Sequence, residues 1–301
     1  MPFPLLSPAD LHALNDLALV ARLIAEGAQA GLHPSRRRGA GLEFSQYRPY
    51  QPGDDLRRLD WRLAARSDRY YLRESDVDTR LTVRLLLDAS ASMNHPDAAG
   101  LTKLQYARLL LASLAYVAHR QGDAVGFSAL HQAGLQSVPP SADASQLPRL
   151  YHALRQLSAT GTFPAAGTVA PLLARRGASV TVVVGDLYDL STADQPVTPL
   201  TQLLRQLRAA GGEVLVLHLL ARNEYDLDYP TTAQLEDLET GQRLQFDATQ
   251  RAAYQAQLQS WLRQTEQTVR GFGLYYHRLF TDEPPAQALR TVLRGPARAS
   301  A

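Results

Sequence analysis

Two short apolar runs each stop at an acid. Leu81-Thr82-Val83-Arg84-Leu85-Leu86-Leu87 ends at Asp88, and Ser179-Val180-Thr181-Val182-Val183-Val184-Gly185 ends at Asp186. Such runs, Val- and Leu-rich with little alternation, are what a strand buried on both faces requires. A sheet built of such strands needs helices on both sides. That requirement limits the possible folds more than any other feature of the chain.

The flanking sequence supplies the helices. Lys103–Arg120 reads as a helix that is apolar nearly all round, hence internal. Ala124–Leu130 reads as a strand and Ala144–Ser158 as a helix. A helix at about 197–210 leads through Gly211-Gly212 to the strand Glu213–Leu219. Strands alternating with helices imply right-handed crossovers and an α/β, doubly wound, mostly parallel sheet. A polar turn region follows at 222–241, then a short strand near Arg243–Phe246 and a long helix at about 248–270. The strand Leu274–Phe280 comes next, and Pro284-Pro285 opens a short last helix.

The N-terminal third differs in texture. Ser7-Pro8-Ala9-Asp10 carries an N-cap, a Pro at the first helical position and an acid three residues after the cap. Leu11, Leu14, Leu17, Ala18, Ala21 and Ile24 then fall at helical spacing, predicting one amphipathic helix over about residues 8–30, ended by Gly31 and Pro34. Residues 33–80 show little hydrophobic periodicity. The division expected is an N-terminal part, 1–80, and a sheet domain, 81–295.

Composition closes several routes. With no cysteine in 301 residues, disulfide scaffolds, thiolate zinc sites, iron–sulfur clusters and cysteine nucleophiles are excluded. Thirty-one Lys and Arg against 29 Asp and Glu leave a net charge of +2, so no global field draws in nucleic acid or an anionic membrane. Apolar runs such as Leu114–Ala118 fall far short of the roughly 20 residues a bilayer requires. The N-terminus lacks a basic stretch of the signal-peptide kind. A soluble, cytoplasmic protein is expected, with no membrane span. Lys103 is the only lysine; with every other such cation an arginine, this reads as compositional bias.

The sharpest chemical signal is Asp88-Ala89-Ser90-Ala91-Ser92 at the carboxyl end of a buried strand. A hard divalent cation takes oxygen ligands, and Mg²⁺ takes six in near-octahedral array. A turn with Asp, Ser and Ser at alternate positions can aim three oxygens at one point. Open α/β sheets bind ligands beyond the carboxyl ends of their strands, where the strand order reverses. Asp186 offers a second strand-end acid, and a hydroxyl from a third loop could come from Thr162 or Thr168. Thr162 is favoured, because Pro164 would then fall in a first helical turn. The competing reading is that Asp88, Ser90 and the threonines merely cap turns and helices.

A second constellation runs from Tyr47 to Arg62, with Pro52-Gly53-Asp54-Asp55 as turn chemistry and Arg57, Arg58, Asp60, Trp61 and Arg62 after it. Ten Arg against five acids between His33 and Arg73, interleaved with tyrosines, permit phosphate contacts and base stacking. An Arg–Asp structural clamp explains the same residues better, since each cation has an acid nearby. A P-loop, a G-x-S-x-G elbow and an H-E-x-x-H pair do not occur in the sequence. His119 and His218 read as structural.

The residues Gly31–Arg73, including Tyr47-Arg48-Pro49-Tyr50-Gln51-Pro52-Gly53-Asp54-Asp55 and Asp60-Trp61-Arg62, closely resemble the bacterial domain-of-unknown-function 58 family. So do Asp88–Met93, Lys103–Ala107, Gln121–Phe127 and Leu238-Glu239-Thr240-Gly241. The resemblance spans roughly residues 20–280 and implies a von Willebrand factor A-like domain with a metal-ion-dependent adhesion site. It implies Asp88, Ser90 and Ser92 from the first loop, Thr162 or Thr168 from the second and Asp186 from the third, around Mg²⁺ or Mn²⁺. Such an ion docks a partner's carboxylate and is not a catalyst. This sequence has Gly185 where the family usually places Ser. The resemblance further implies a MoxR-type AAA+ ATPase, or its client, as partner in chaperone-like maturation of proteins.

The expectation is therefore a non-enzymatic, metal-dependent protein-interaction module. Two rivals remain: a metal-dependent hydrolase built on Asp88 and Asp186, and a nucleic-acid binder acting through the Arg-rich segment.

Overall fold

The structure, a computed structural model, describes residues 7–14, 16–29, 46–50, 63, 66, 70–74, 81–165, 167, 179–190, 197–227, 232–247 and 251–294. It divides into two compact units, Arg36–Arg80 and the remainder, Met1–Ser35 with Leu81–Ala301. The N-terminal helical region, expected to go with the Arg-rich segment, thus belongs to the sheet unit. In the smaller unit β1 (Gln46–Pro49) pairs antiparallel with β2 (Tyr71–Glu74), Gln46 opposite Glu74. Most of the Arg–Asp signature, 51–62, lies outside the described residues.

The larger unit starts with α1 (Pro8–Ala13) and α2 (Leu17–Gln29), then β3 (Thr82–Asp88), α3 (Lys103–Arg120), β4 (Ala124–His131), β5 (Gly134–Ser141) and α4 (Gln146–Gln156). It continues with β6 (Ser179–Gly185), α5 (Pro199–Ala209), β7 (Glu213–Leu220), α6 (Arg222–Asp226), β8 (Thr232–Glu236) and β9 (Arg243–Asp247). It closes with α7 (Arg251–Gly271), β10 (Tyr275–Phe280) and α8 (Pro285–Leu293). Six strands form one sheet in the order β10-β7-β6-β3-β4-β5. All neighbours run parallel except β5, antiparallel to β4 at the edge.

The β3 side chains alternate between two cores. Leu85 and Leu87 pack into the core formed with α2, α3, α4 and α8. Leu86 points the other way, with Val183, Val216, Leu203 of α5 and Val269 of α7. Both layers exclude water from the strand, which is why its sequence is apolar without alternation. The chain leaves β3 toward one face and β6 toward the other, so the order reverses between these two neighbours. The ends of β3 and β6 flank that crevice.

Three differences from the sequence expectations have local causes. The single helix expected over 8–30 is two: Leu14 turns extended after α1, and the Asp16 carboxylate accepts the N–H groups of Ala18 and Leu19 at 3.0 and 3.1 Å, starting α2 afresh. Strand β5 was not expected, because none of its residues is fully buried and it carries Pro139 and Pro140; an edge strand tolerates proline where a central one does not. Within the region read as polar turn lie α6 and β8, the latter pairing with β9 in a hairpin around Asp237–Gly241. Elsewhere the expected elements stand within a few residues of their boundaries, and α3 begins and ends where the sequence places it.

Candidate functional site

The loop after β3 is stitched to its neighbours through the backbone. Ala89 N–H donates to Leu130 O at 2.8 Å, Thr160 N–H to Ala89 O at 2.9 Å and Ala91 N–H to Gly161 O at 2.8 Å. Within the loop, Ser90 N–H donates to Asp88 Oδ1 at 2.9 Å, and the hydroxyls of Ser90 and Ser92 lie 3.0 Å apart. A 3₁₀ turn, Ala91–Asn94, follows, and Asn94 Nδ2 donates to Ala159 O at 2.7 Å. Three oxygen-bearing side chains are thereby held on one loop, with Thr162 on the loop beside it. Thr162 sits in a bend, and Phe163, Pro164 and Ala165 are not helical, so the expected helical first turn does not form there. Thr168 lies outside the described residues.

Asp186, one residue past β6, is buried, but it is not a free acid. Lys103 Nζ donates to Asp186 Oδ2 at 2.8 Å and to Glu224 Oε1 at 2.9 Å, and the ammonium lies 4.9 Å from the Tyr188 ring centroid. Lys103 is wholly buried. Burial alone would lower its pKa, and the charges of Asp186 and Glu224 reverse that, holding it above the usual value. Glu224 is itself fixed: its Oε2 accepts Ala221 N–H at 2.9 Å, and the Tyr188 hydroxyl donates to its Oε1 at 3.4 Å. Reading the lone lysine as compositional bias therefore missed a residue at the centre of the site.

Asp88 is treated differently. Burial, and then the nearby charge of Asp186, raise its pKa well above the carboxylate range, while the Ser90 hydrogen bonds pull the other way. Gly185 explains how the two acids approach. A Cβ there would come within 2.8 Å of Asp88 Cβ and 3.2 Å of Asp88 Oδ2. The Ser usual in the family would collide with the first-loop acid in this arrangement.

Two further acids face the same crevice. Glu239, from the β8–β9 turn, has its pKa raised by burial, countered by hydrogen bonds from the Ser92 and Ser90 hydroxyls. Asp189 is pushed up to about 6, by burial first and then by the charges of Glu239 and Asp186. Neither was picked out as a site residue from the sequence, nor was Glu224. Glu239 falls in the Leu238–Gly241 block already noted for its resemblance, and Asp189 lies three residues after Asp186. Nothing around Glu224 marks it.

The donor chemistry fits a hard cation only in part. Among the described residues no group of three or more His, Cys, Asp or Glu could hold a metal ion. Hydroxyls would have to complete any shell. Asp88, Ser90 and Ser92 offer that mixed oxygen set, and carboxylates outnumber the one ammonium around them. Asp186 already carries a cation.

The sheet is doubly wound in this order, with the Asp-x-Ser-x-Ser loop at its switch point. The family profile described as "Protein of unknown function DUF58" matches residues 46–266, and the chain belongs to that family. Among curated proteins it is similar to the uncharacterized protein Rv1480 of Mycobacterium tuberculosis. The two are 26% identical over 287 residues, covering 91% of this chain and 86% of the relative. An uncharacterized Mycobacterium bovis protein, Mb1516, matches to the same extent. Similar solved structures include BatB from Bacteroides thetaiotaomicron (14% identity, TM-score 0.44, covering 71% of this chain and 97% of that one). The SpRpn10 VWA domain is another (10% identity, TM-score 0.41, 72% and 96%). Among the described residues no helix is long and apolar enough to cross a membrane.

Proposed function

We propose that this chain is a non-enzymatic protein-interaction module that docks its partner through a divalent cation, Mg²⁺ or Mn²⁺, at the sheet's switch point. The observation that supports it is the meeting of Asp88, Ser90 and Ser92 with the end of β6. Three oxygen donors there are held by backbone hydrogen bonds in a crevice with more carboxylates than cations. In this reading Asp88, Ser90 and Ser92 hold the ion, and Thr162 and Asp186 border it. The ion, when bound, leaves a coordination position for an acidic side chain of the partner. The chain's own part is to orient the donors: Ser90 N–H fixes the Asp88 carboxylate, and the Ala91–Gly161 bond holds the second loop against the first.

The partner we propose is a MoxR-type AAA+ ATPase or the protein that ATPase acts upon, following the family resemblance. The test is capture of that ATPase or its client by the purified chain. Capture with Mg²⁺ is expected to be lost on adding chelator and in Asp88→Ala, with the fold retained by circular dichroism. Capture that is indifferent to both would end the docking proposal. Turnover of phosphoesters by the wild-type protein, abolished in Asp88→Ala, would favour a hydrolase instead.

A further inference from the structure

Thirty of the chain's 31 Lys and Arg residues are arginine, and the one lysine is the most deeply buried of these cations among the described residues, at the carboxyl ends of the central strands. In a sequence that otherwise writes every such positive charge as Arg, this exception has a chemical reason. An ammonium is a compact point charge, whereas a guanidinium is a planar fork that needs more room. Lys103 Nζ reaches two carboxylates, 2.8 Å from Asp186 and 2.9 Å from Glu224, with Tyr188 over it. Its position is also held by the backbone. Thr102 and Gln105 form a reciprocal capping box at the start of α3, and Lys103 N–H donates to His95 O at 3.1 Å. The first turn of a helix is the electrostatically unfavourable place for a cation. The two acids offset that cost.

We propose that Lys103 is a tethered cation that takes Asp186 out of the metal ligand set. Of the two strand-end acids it leaves only Asp88 uncompensated, and so lowers the site's own affinity for a divalent ion below what a free Asp186 would give. The inference rests on the docking site proposed above and deepens it. A site with one ligand charge fewer holds a divalent ion less tightly, because affinity follows the number of ligand charges and the rigidity of the cage. A partner's carboxylate would then supply a charge in place of the one Lys103 neutralises. Ion and partner would bind together, each raising the affinity of the other by the same factor. Asp186 acts through the ammonium, as an anchor and not as a ligand.

The experiment uses Mn²⁺ alone as the probe, titrated into the purified full chain and followed by calorimetry, with melting temperature as a second readout. Asp186→Asn keeps the shape and removes the charge that Lys103 neutralises. It is expected to leave Mn²⁺ affinity within about threefold of wild type, whereas loss of a true ligand or its support costs about 10–100-fold. Lys103→Met frees the Asp186 carboxylate and is expected to tighten Mn²⁺ by about tenfold, with a larger Mn²⁺-induced rise in melting temperature than the wild type shows. A purely structural role for Lys103 would move stability but not raise affinity. If Lys103→Met does not fold, Asp186→Asn decides alone. A loss of tenfold or more in Asp186→Asn, matching the loss in Asp88→Asn, overturns the role of Lys103 and leaves the docking site standing. No Mn²⁺ binding by wild type, or undiminished binding in Asp88→Asn, removes the metal site and this inference together.

Discussion

The ends of β3 and β6 share a sequence signature and differ in electrostatics. Each strand is buried on both faces, each is followed or ended by an aspartate, and the two acids approach across a glycine. Asp186 meets an ammonium at 2.8 Å, supported by a second carboxylate. Asp88 meets the N–H and the hydroxyl of Ser90 on its own loop and the charge of Asp186. One acid is compensated by the chain itself, and the other is left with surplus negative charge. The lesson is that a strand-end acid in an α/β sheet cannot be assigned a role from its place alone, because the cation facing it comes from a helix far away in sequence.

The largest expected effect breaks the compensated side. In metal-free protein, Lys103→Met should cost about 3–5 kcal/mol in urea unfolding, the usual penalty for leaving partners of a buried ion pair uncompensated. Next comes the glycine between the two acids. Gly185→Ser puts a Cβ within 2.8 Å of Asp88 Cβ, and overpacking of this kind should cost about 1–3 kcal/mol by the same measurement. Thr102→Ala removes the hydroxyl that accepts Gln105 N–H at 3.1 Å at the start of α3, and should cost about 1 kcal/mol.

The smallest effects sharpen the other side and are read as pH dependence. An acid whose pKa is raised by folding destabilises the native state as pH climbs from its unfolded value toward its folded one. Asp88 and Asp189 both belong to this class. Metal-free wild type should therefore lose stability as pH rises above about 4, the ordinary carboxylate value. Asp88→Asn should flatten that fall. Asp189→Asn should remove only the part ending near pH 6, the value to which its carboxyl is pushed. A urea midpoint that does not change with pH in wild type would contradict the uncompensated state of both acids.

Much of the fold was legible because its signals are local. The unbroken apolarity of β3 and β6 declared burial on both faces, and the alternation with α3, α5 and α7 declared the parallel winding. What escaped was set by context. Strand β5 is a half-buried, proline-bearing edge that earns its place by pairing with β4, and β8 exists through its pairing with β9. The break between α1 and α2 turns on one capping carboxylate set inside an otherwise continuous apolar stripe. At the site, Asp88, Ser90 and Ser92 could be found because they share one loop. Glu224 and Glu239 could not be linked to that loop by spacing, since each arrives from a different element.

The amino-acid sequence by itself determined the layered sheet, the position of the Asp-x-Ser-x-Ser turn at a strand end and the family. These depend on hydrophobic period and turn chemistry, which act over a few residues. Only the tertiary structure decided which charges face one another. Lys103 and Asp186 are 83 residues apart, and Lys103 and Glu224 121. Coulomb interactions in a dry interior follow distance in space, to which separation along the chain is no guide.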